Sequence, residues 1–124
     1  MKRTAILFLL LLTGVGSAAG EDRQAVVPLS VLYVGDSKSP RAGDYESFLK
    51  KYFRQVRVAN REGFDPATAK SADVVLLDWS QSDADVRKAK SPFGKLEDWD
   101  RPTVLLGSAG LLLAGQWQII GGAG

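Results

Sequence analysis

The sequence predicts an α/β domain, a three-layer sandwich around a parallel sheet of four to five strands. Three observations lead there. Short apolar runs recur at residues 31–34, 74–77 and 103–106, and unbroken runs of this kind suit strands covered on both faces. Each run is closed by a turn-forming or polar residue, Gly35, Asp78 and Gly107 respectively. Between the runs lie stretches with helical spacing or helix-start residues, so strands and helices alternate as in βαβ units.

Ahead of the first strand, residues 1–19 read as a secretory signal peptide. Lys2 and Arg3 give a positive start, residues 5–12 are all apolar, and Ser17 and Ala19 fit a small-x-small cut after Ala19. An apolar centre this short falls below the length that spans a hydrocarbon core of about 30 Å. The expectation is an exported chain, periplasmic or extracellular, whose membrane contact comes only through an uncleaved leader. Without Lys2 and Arg3, Lys+Arg drops from 16 to 14 and equals Asp+Glu at 14. That balance leaves no basic surface for nucleic acid. The remaining chain suits one domain with a single core. It has no cysteine, so burial rather than disulfides supplies its stability.

Residues 20–29 read as an exposed lead-in and residues 30–124 as the domain. Val31-Leu32-Tyr33-Val34-Gly35 is the first strand, and residues 36–43 carry loop chemistry. Asp44 is placed to cap a helix with Tyr45, Phe48, Leu49, Tyr52 and Phe53 along one stripe, and Glu46 and Lys50 four apart on its wet face. Val56 to Ala59 is a short second strand. Asp65-Pro66 is a cap followed by proline, which starts a short helix through Lys70. Residues 74–77 form the third strand. Residues 80–101 are polar, with Trp79, Phe93, Leu96 and Trp99 as scattered anchors, and give no clear pattern. Residues 103–106 form the fourth strand, residues 111–117 a helix, and residues 118–120 a last strand before a Gly-rich stretch. The layout is flavodoxin-like, with the second strand outside the first and the third on its other side. Ligands in such sheets sit beyond the carboxyl ends of the strands at the switch point, here the rim formed by residues 36–43, 78–80 and 107–110.

Chemistry is constrained by what is missing. With no histidine and no cysteine there is no imidazole base, no Ser-His-Asp triad and no thiolate nucleophile. Leu106-Gly107-Ser108-Ala109-Gly110 follows a strand and opens a helix, but Leu106 stands where the first glycine of G-x-S-x-G belongs. The turn reads as a tight strand-to-helix connection or as an anion site built on backbone N–H groups. Asp36 and Asp78 end neighbouring strands. They read as loop braces or as a cation pair, with Lys38 and Arg41 nearby either binding an anion or neutralising Asp36. Gly14, Gly16 and Gly20 lie in or beside the leader, which removes them as a dinucleotide motif, and no phosphate-loop pattern exists. Trp79, Trp99 and Trp117 read as core or edge anchors, with a sugar-stacking platform as the alternative.

Two resemblances follow from these residues. Val31-Leu32-Tyr33-Val34-Gly35, the amphipathic helix, Asp73-Val74-Val75-Leu76-Leu77-Asp78, Pro102-Thr103-Val104-Leu105-Leu106-Gly107, Gly110, Leu112-Leu113-Ala114 and the Ile-Ile-Gly-Gly stretch resemble class I glutamine amidotransferase-like domains, including their trehalose-utilisation (ThuA-like) branch. The family's nucleophilic cysteine has Ser108 or Ala109 in its region, and its histidine and acidic partner have no counterpart. The resemblance implies the fold and a degenerate, non-catalytic or truncated relative. The chain also resembles response-regulator receiver domains: Asp36, Asp78 and Ser108, separated by 42 and 30 residues, stand where the metal-binding acid, the phosphoacceptor and the switch hydroxyl would be. It lacks the second acid and the later lysine.

The combined expectation is an exported domain that binds rather than catalyses. Its ligand would be a small anion, a sugar or a partner protein, met by Asp36, Ser37, Lys38, Asp78, Gly107, Ser108 and Gly110. No cofactor, metal or catalytic residue is assigned. A hydrolase using Ser108 with Lys38 or Asp78, a phosphoacceptor at Asp78, and the N-terminal part of a larger ThuA-like enzyme are the alternatives.

Overall fold

A computed structural model describes residues 25–80 and 90–119. Four strands make one all-parallel sheet: β1 (Val27–Gly35), β2 (Phe53–Asn60), β3 (Val74–Trp79) and β4 (Thr103–Gly107), in the order β2-β1-β3-β4. Helix α1 (Pro40–Leu49) connects β1 to β2, a 3₁₀ segment (Pro66–Ser71) connects β2 to β3, and α2 (Ala109–Gln116) follows β4. This is the flavodoxin-like α/β sandwich that the apolar runs and their connections predict. The switch point falls between β1 and β3, which leave towards opposite edges of the sheet.

The pleat sends alternate residues to opposite layers. On one face Leu32, Val34, Val75, Leu77 and Trp79 pack with Ala69, Ala72, Phe93, Ala109, Leu112 and Leu113 into the main core. Tyr33 and Asp78 lie on the other face, where α1 packs through its buried Ala42 and Leu49. Burial of one such aliphatic side chain stabilises by about 1.5–3 kcal/mol, and the two central strands supply seven of the fifteen buried hydrophobic residues among those described. Phe93 stacks on Trp99 with ring centroids 4.0 Å apart, and the Trp99 Nε1–H donates to Thr103 Oγ at 2.8 Å. The Trp117 Nε1–H donates to the Gly94 carbonyl at 3.2 Å. The tryptophans are thus packing anchors.

Several boundaries differ from expectation, each for a physical reason. β1 begins at Val27, inside the lead-in read as residues 20–29, because pairing with β2 needs hydrogen bonds rather than burial: the Val27 N–H donates to the Tyr52 carbonyl at 2.7 Å. Helix α1 starts at Pro40, not after Asp44. Ser39 is its cap, with Oγ accepting the Ala42 N–H at 3.2 Å, and proline follows in the position that needs no N–H. The helix stops at Leu49 because Phe53 is drawn into β2. The expected stripe is therefore split, and Phe48 stays 53 % exposed. No strand forms at residues 118–119. Gln118 takes φ 51° and closes α2 with a Schellman turn, the Ile119 N–H donating to the Ala114 carbonyl at 3.0 Å. The signal peptide, residues 20–24 of the lead-in, residues 81–89 of the polar stretch and residues 120–124 lie outside the described residues.

Candidate functional site

Asp78 is the organising group of the rim. It sits near the end of β3 with 3 % of its surface exposed. Its carboxylate is gripped from two sides. Arg41 in the first turn of α1 donates Nε–H to Oδ2 at 2.6 Å and Nη2–H to Oδ1 at 2.9 Å, and the Tyr33 hydroxyl donates to Oδ2 at 2.5 Å. A bidentate guanidinium contact is among the stronger charge-assisted arrangements. Burial, then the hydrogen bond to Asp78, pushes the Tyr33 phenol above its usual range, and the hydrogen bond to Asp78 raises Arg41 in the same direction. Tyr45 completes the cluster. Its ring stacks on Tyr33 at 5.4 Å, and the Arg41 guanidinium lies 5.1 Å from its centroid.

Gly35 makes room for this arrangement. A Cβ on residue 35 would fall 2.8 Å from Cε1 of the Tyr33 ring, which folds back along its own strand. Past Gly35 the chain turns at once. Asp36 Oδ1 accepts the Lys38 N–H at 3.1 Å, and the Asp36 carbonyl accepts the Ser39 N–H at 3.0 Å and the Ser39 hydroxyl at 2.7 Å. This Asx turn lets α1 begin five residues after the end of the strand and brings Arg41 over Asp78.

A recess of about 380 Å³ opens beside the cluster, lined in part by Asp36, Ser39, Arg41, Arg61, Asp78 and Ser80. Arg61 stands just past β2. Its N–H donates to the Gly35 carbonyl at 2.8 Å, and its guanidinium covers the Trp79 ring at 4.5 Å from the centroid. A neighbouring recess of about 200 Å³ shares Asp36 and Arg61 and adds Lys38, Asn60 and Glu62.

The structure thus brings Asp36 and Asp78 to one recess. Lys38 lines only the neighbouring recess, and Ser37 is exposed in the turn and lines neither. Gly107, Ser108 and Gly110 also line neither recess. Gly107 takes φ 63°, and a side chain there would run into the Trp79 carbonyl oxygen. Ser108 is buried, its N–H donates to that same carbonyl at 2.6 Å, and its hydroxyl makes no cap hydrogen bond to α2. Gly110 lies in the first turn of α2 with open space around it. This segment is a tight strand-to-helix turn. Arg41 pairs with Asp78, and neither with Asp36 nor as a free anion-binding cation, the two roles the sequence left open. Both Asp78 oxygens are taken, and among the described residues no group of three or more carboxylate, histidine or cysteine side chains is placed to hold a metal ion.

Sequence reasoning missed Tyr33 and Arg61. A single tyrosine in an aliphatic run is a signal for Tyr33, since its hydroxyl requires a buried partner. Arg61 follows the strand paired with β1, one residue beyond Asn60, which is in register with Gly35. Comparison with known proteins gives no match to a family model, to a characterised protein or to a solved structure.

Proposed function

We propose that this chain is an exported, non-catalytic α/β domain of the glutamine amidotransferase-like, ThuA-like kind, which binds a small sugar at the carboxyl rim of its sheet. The observation that carries the reading is the charge balance of the recess: Arg41 and Arg61 face Asp36 and Asp78, and Arg41 is already engaged by Asp78. A free anion needs an uncompensated cation, whereas a polyhydroxylated ligand needs donors and acceptors side by side. The recess sets the Asp36 carboxylate, an acceptor, beside the Arg61 guanidinium, a donor, with Ser39 and Ser80 also in its lining. Its volume of about 380 Å³ falls at the lower end of the usual range for ligand pockets, about 300–1,000 Å³.

The non-catalytic part rests on chemistry. A general base must be free to take a proton, and Asp78 is held by Arg41 and Tyr33. The chain contains no histidine or cysteine to replace it. The test is an NMR titration with monosaccharides, glucose disaccharides, phosphate and citrate. Saturable amide shifts at Asp36, Ser39, Arg61 and Ser80 are expected with a sugar, and Arg61→Ala or Asp36→Ala should weaken binding at least about ten-fold, or 1.4 kcal/mol. Saturable binding of phosphate or citrate alone would replace the sugar by an anion. Sugar-induced shifts confined to other surfaces would overturn the site.

A further inference from the structure

The central recess of the rim has a neighbour on each side. One shares Asp36 and Arg61 with it and is otherwise lined by Lys38, Asn60 and Glu62. The other, of about 400 Å³, shares Arg41 with it and is lined further by Asp44, Tyr45 and Phe48. Residues 41, 44, 45 and 48 stand at positions i, i+3, i+4 and i+7 of α1, so they form one stripe running down the helix from the rim. At 1.5 Å rise per residue, Phe48 lies about 10 Å along the axis from Arg41. Among the described residues Phe48 carries the most exposed aromatic ring, at 53 %. The Tyr45 ring in the same recess is already engaged, stacked on Tyr33 and met by the Arg41 guanidinium. Tyr52 meets the Phe48 ring tilted at 52° rather than stacked on it. The open aromatic surface of this recess therefore belongs to Phe48.

We infer that Phe48 is a stacking platform for a second saccharide unit, and that the rim takes an oligosaccharide running from the central recess past Arg41 onto α1. This rests on the sugar reading of the rim. A pyranose presents a face of C–H bonds and an edge of hydroxyls. The C–H face fits the negative face of a π-system, and the hydroxyls need polar partners close by. Phe48 supplies the ring, and Asp44 in the same recess supplies a carboxylate acceptor. Arg41 spends Nε and Nη2 on Asp78 and Tyr45, which leaves Nη1 as a donor at the wall that the two recesses share. The recess on the other side is lined by polar and charged residues and has no ring among them. Only the Phe48 side therefore offers both halves of the recognition. A protein or membrane contact needs a contiguous apolar patch, whereas exposed Asp44, Ser47 and Lys51 flank this ring on the helix surface.

The test is calorimetry and NMR titration of the full chain with glucose, galactose, mannose and N-acetylglucosamine, and with their two- and three-unit oligosaccharides. Lengthening the ligand is expected to tighten binding about three- to ten-fold, the worth of one stacked ring. It should also add amide shifts at Asp44, Tyr45 and Phe48 to those at the rim. Phe48→Ala should abolish the gain with length and Phe48→Trp should keep it. Leu111→Ala, at an exposed position on α2, should keep it as well. Rim binding with no gain from length, or a gain that survives in a folded Phe48→Ala chain, overturns the inference and leaves the sugar reading standing. A rim that shifts with no saccharide of any length overturns both.

Discussion

At the scale of single residues, the rim is governed by a carboxylate that the fold removes from water and then satisfies three times over. Asp78 is 3 % exposed and accepts from Arg41 twice and from Tyr33 once. Removing one partner of such a group leaves a buried charge uncompensated, which costs more than the pair was worth. Arg41→Ala is expected to lower the unfolding free energy by about 2–4 kcal/mol, discounted because the Arg41 side chain is 44 % exposed. Arg41→Met combined with Asp78→Leu should cost less than Arg41→Ala alone, because no unpaired charge remains. Urea denaturation of the variants reads both outcomes, and a double variant weaker than the single one would show that the ion pair itself carries the stability. The sequence made the two rim aspartates legible, since each closes a strand. It did not make their partners legible. Arg41 is five residues from Asp36 and 37 from Asp78, and only the turn of α1 over the sheet decides between them.

At the scale of elements, the amino ends of β1 and β3 are stapled by a second carboxylate. Asp73 accepts the Ser30 N–H at 2.7 Å and the Ser30 hydroxyl at 3.0 Å, while its own N–H donates to the Ser30 carbonyl at 2.9 Å. The backbone hydrogen bond, then the hydroxyl, holds the Asp73 carboxyl below its usual range. A folded-state pKa lowered in this way gives stability that is complete above the unfolded value of about 3.9 and is lost as pH falls through the lowered one. Asp73→Asn is therefore expected to flatten the dependence of unfolding free energy on pH below about 4, measured by denaturant titration at a series of pH values. An unchanged acid slope would place the loss in other carboxylates. The same scale shows where periodicity misleads. Tyr45, Phe48, Leu49, Tyr52 and Phe53 have helical spacing, yet Phe53 belongs to β2. Ser39-Pro40 offered a cap and a first helical residue five positions earlier than Asp44 did, and the short Asx turn used it.

Across the whole molecule, the order β2-β1-β3-β4 puts the two most apolar strands in the middle and leaves the outer pair half covered. Amides of β1 and β3 should accordingly exchange with deuterium slowest, those of β2 and β4 sooner. Hydrogen exchange read residue by residue checks this, and equal protection across all four strands would contradict it. The fold was legible because fully buried parallel strands write themselves as unbroken apolar runs. β4 was the exception, since its run Thr-Val-Leu-Leu resembles a central strand while Val104 is 47 % exposed. A run of three apolar residues does not record whether anything lies beside it. The Arg41–Asp78 lock has a consequence on this scale as well. One side chain forms a wall of the recess, opens α1 and fastens that helix to β3. The wall cannot give way without loosening the first crossover, so a ligand held there as proposed is expected to slow amide exchange in α1 as well as at the rim.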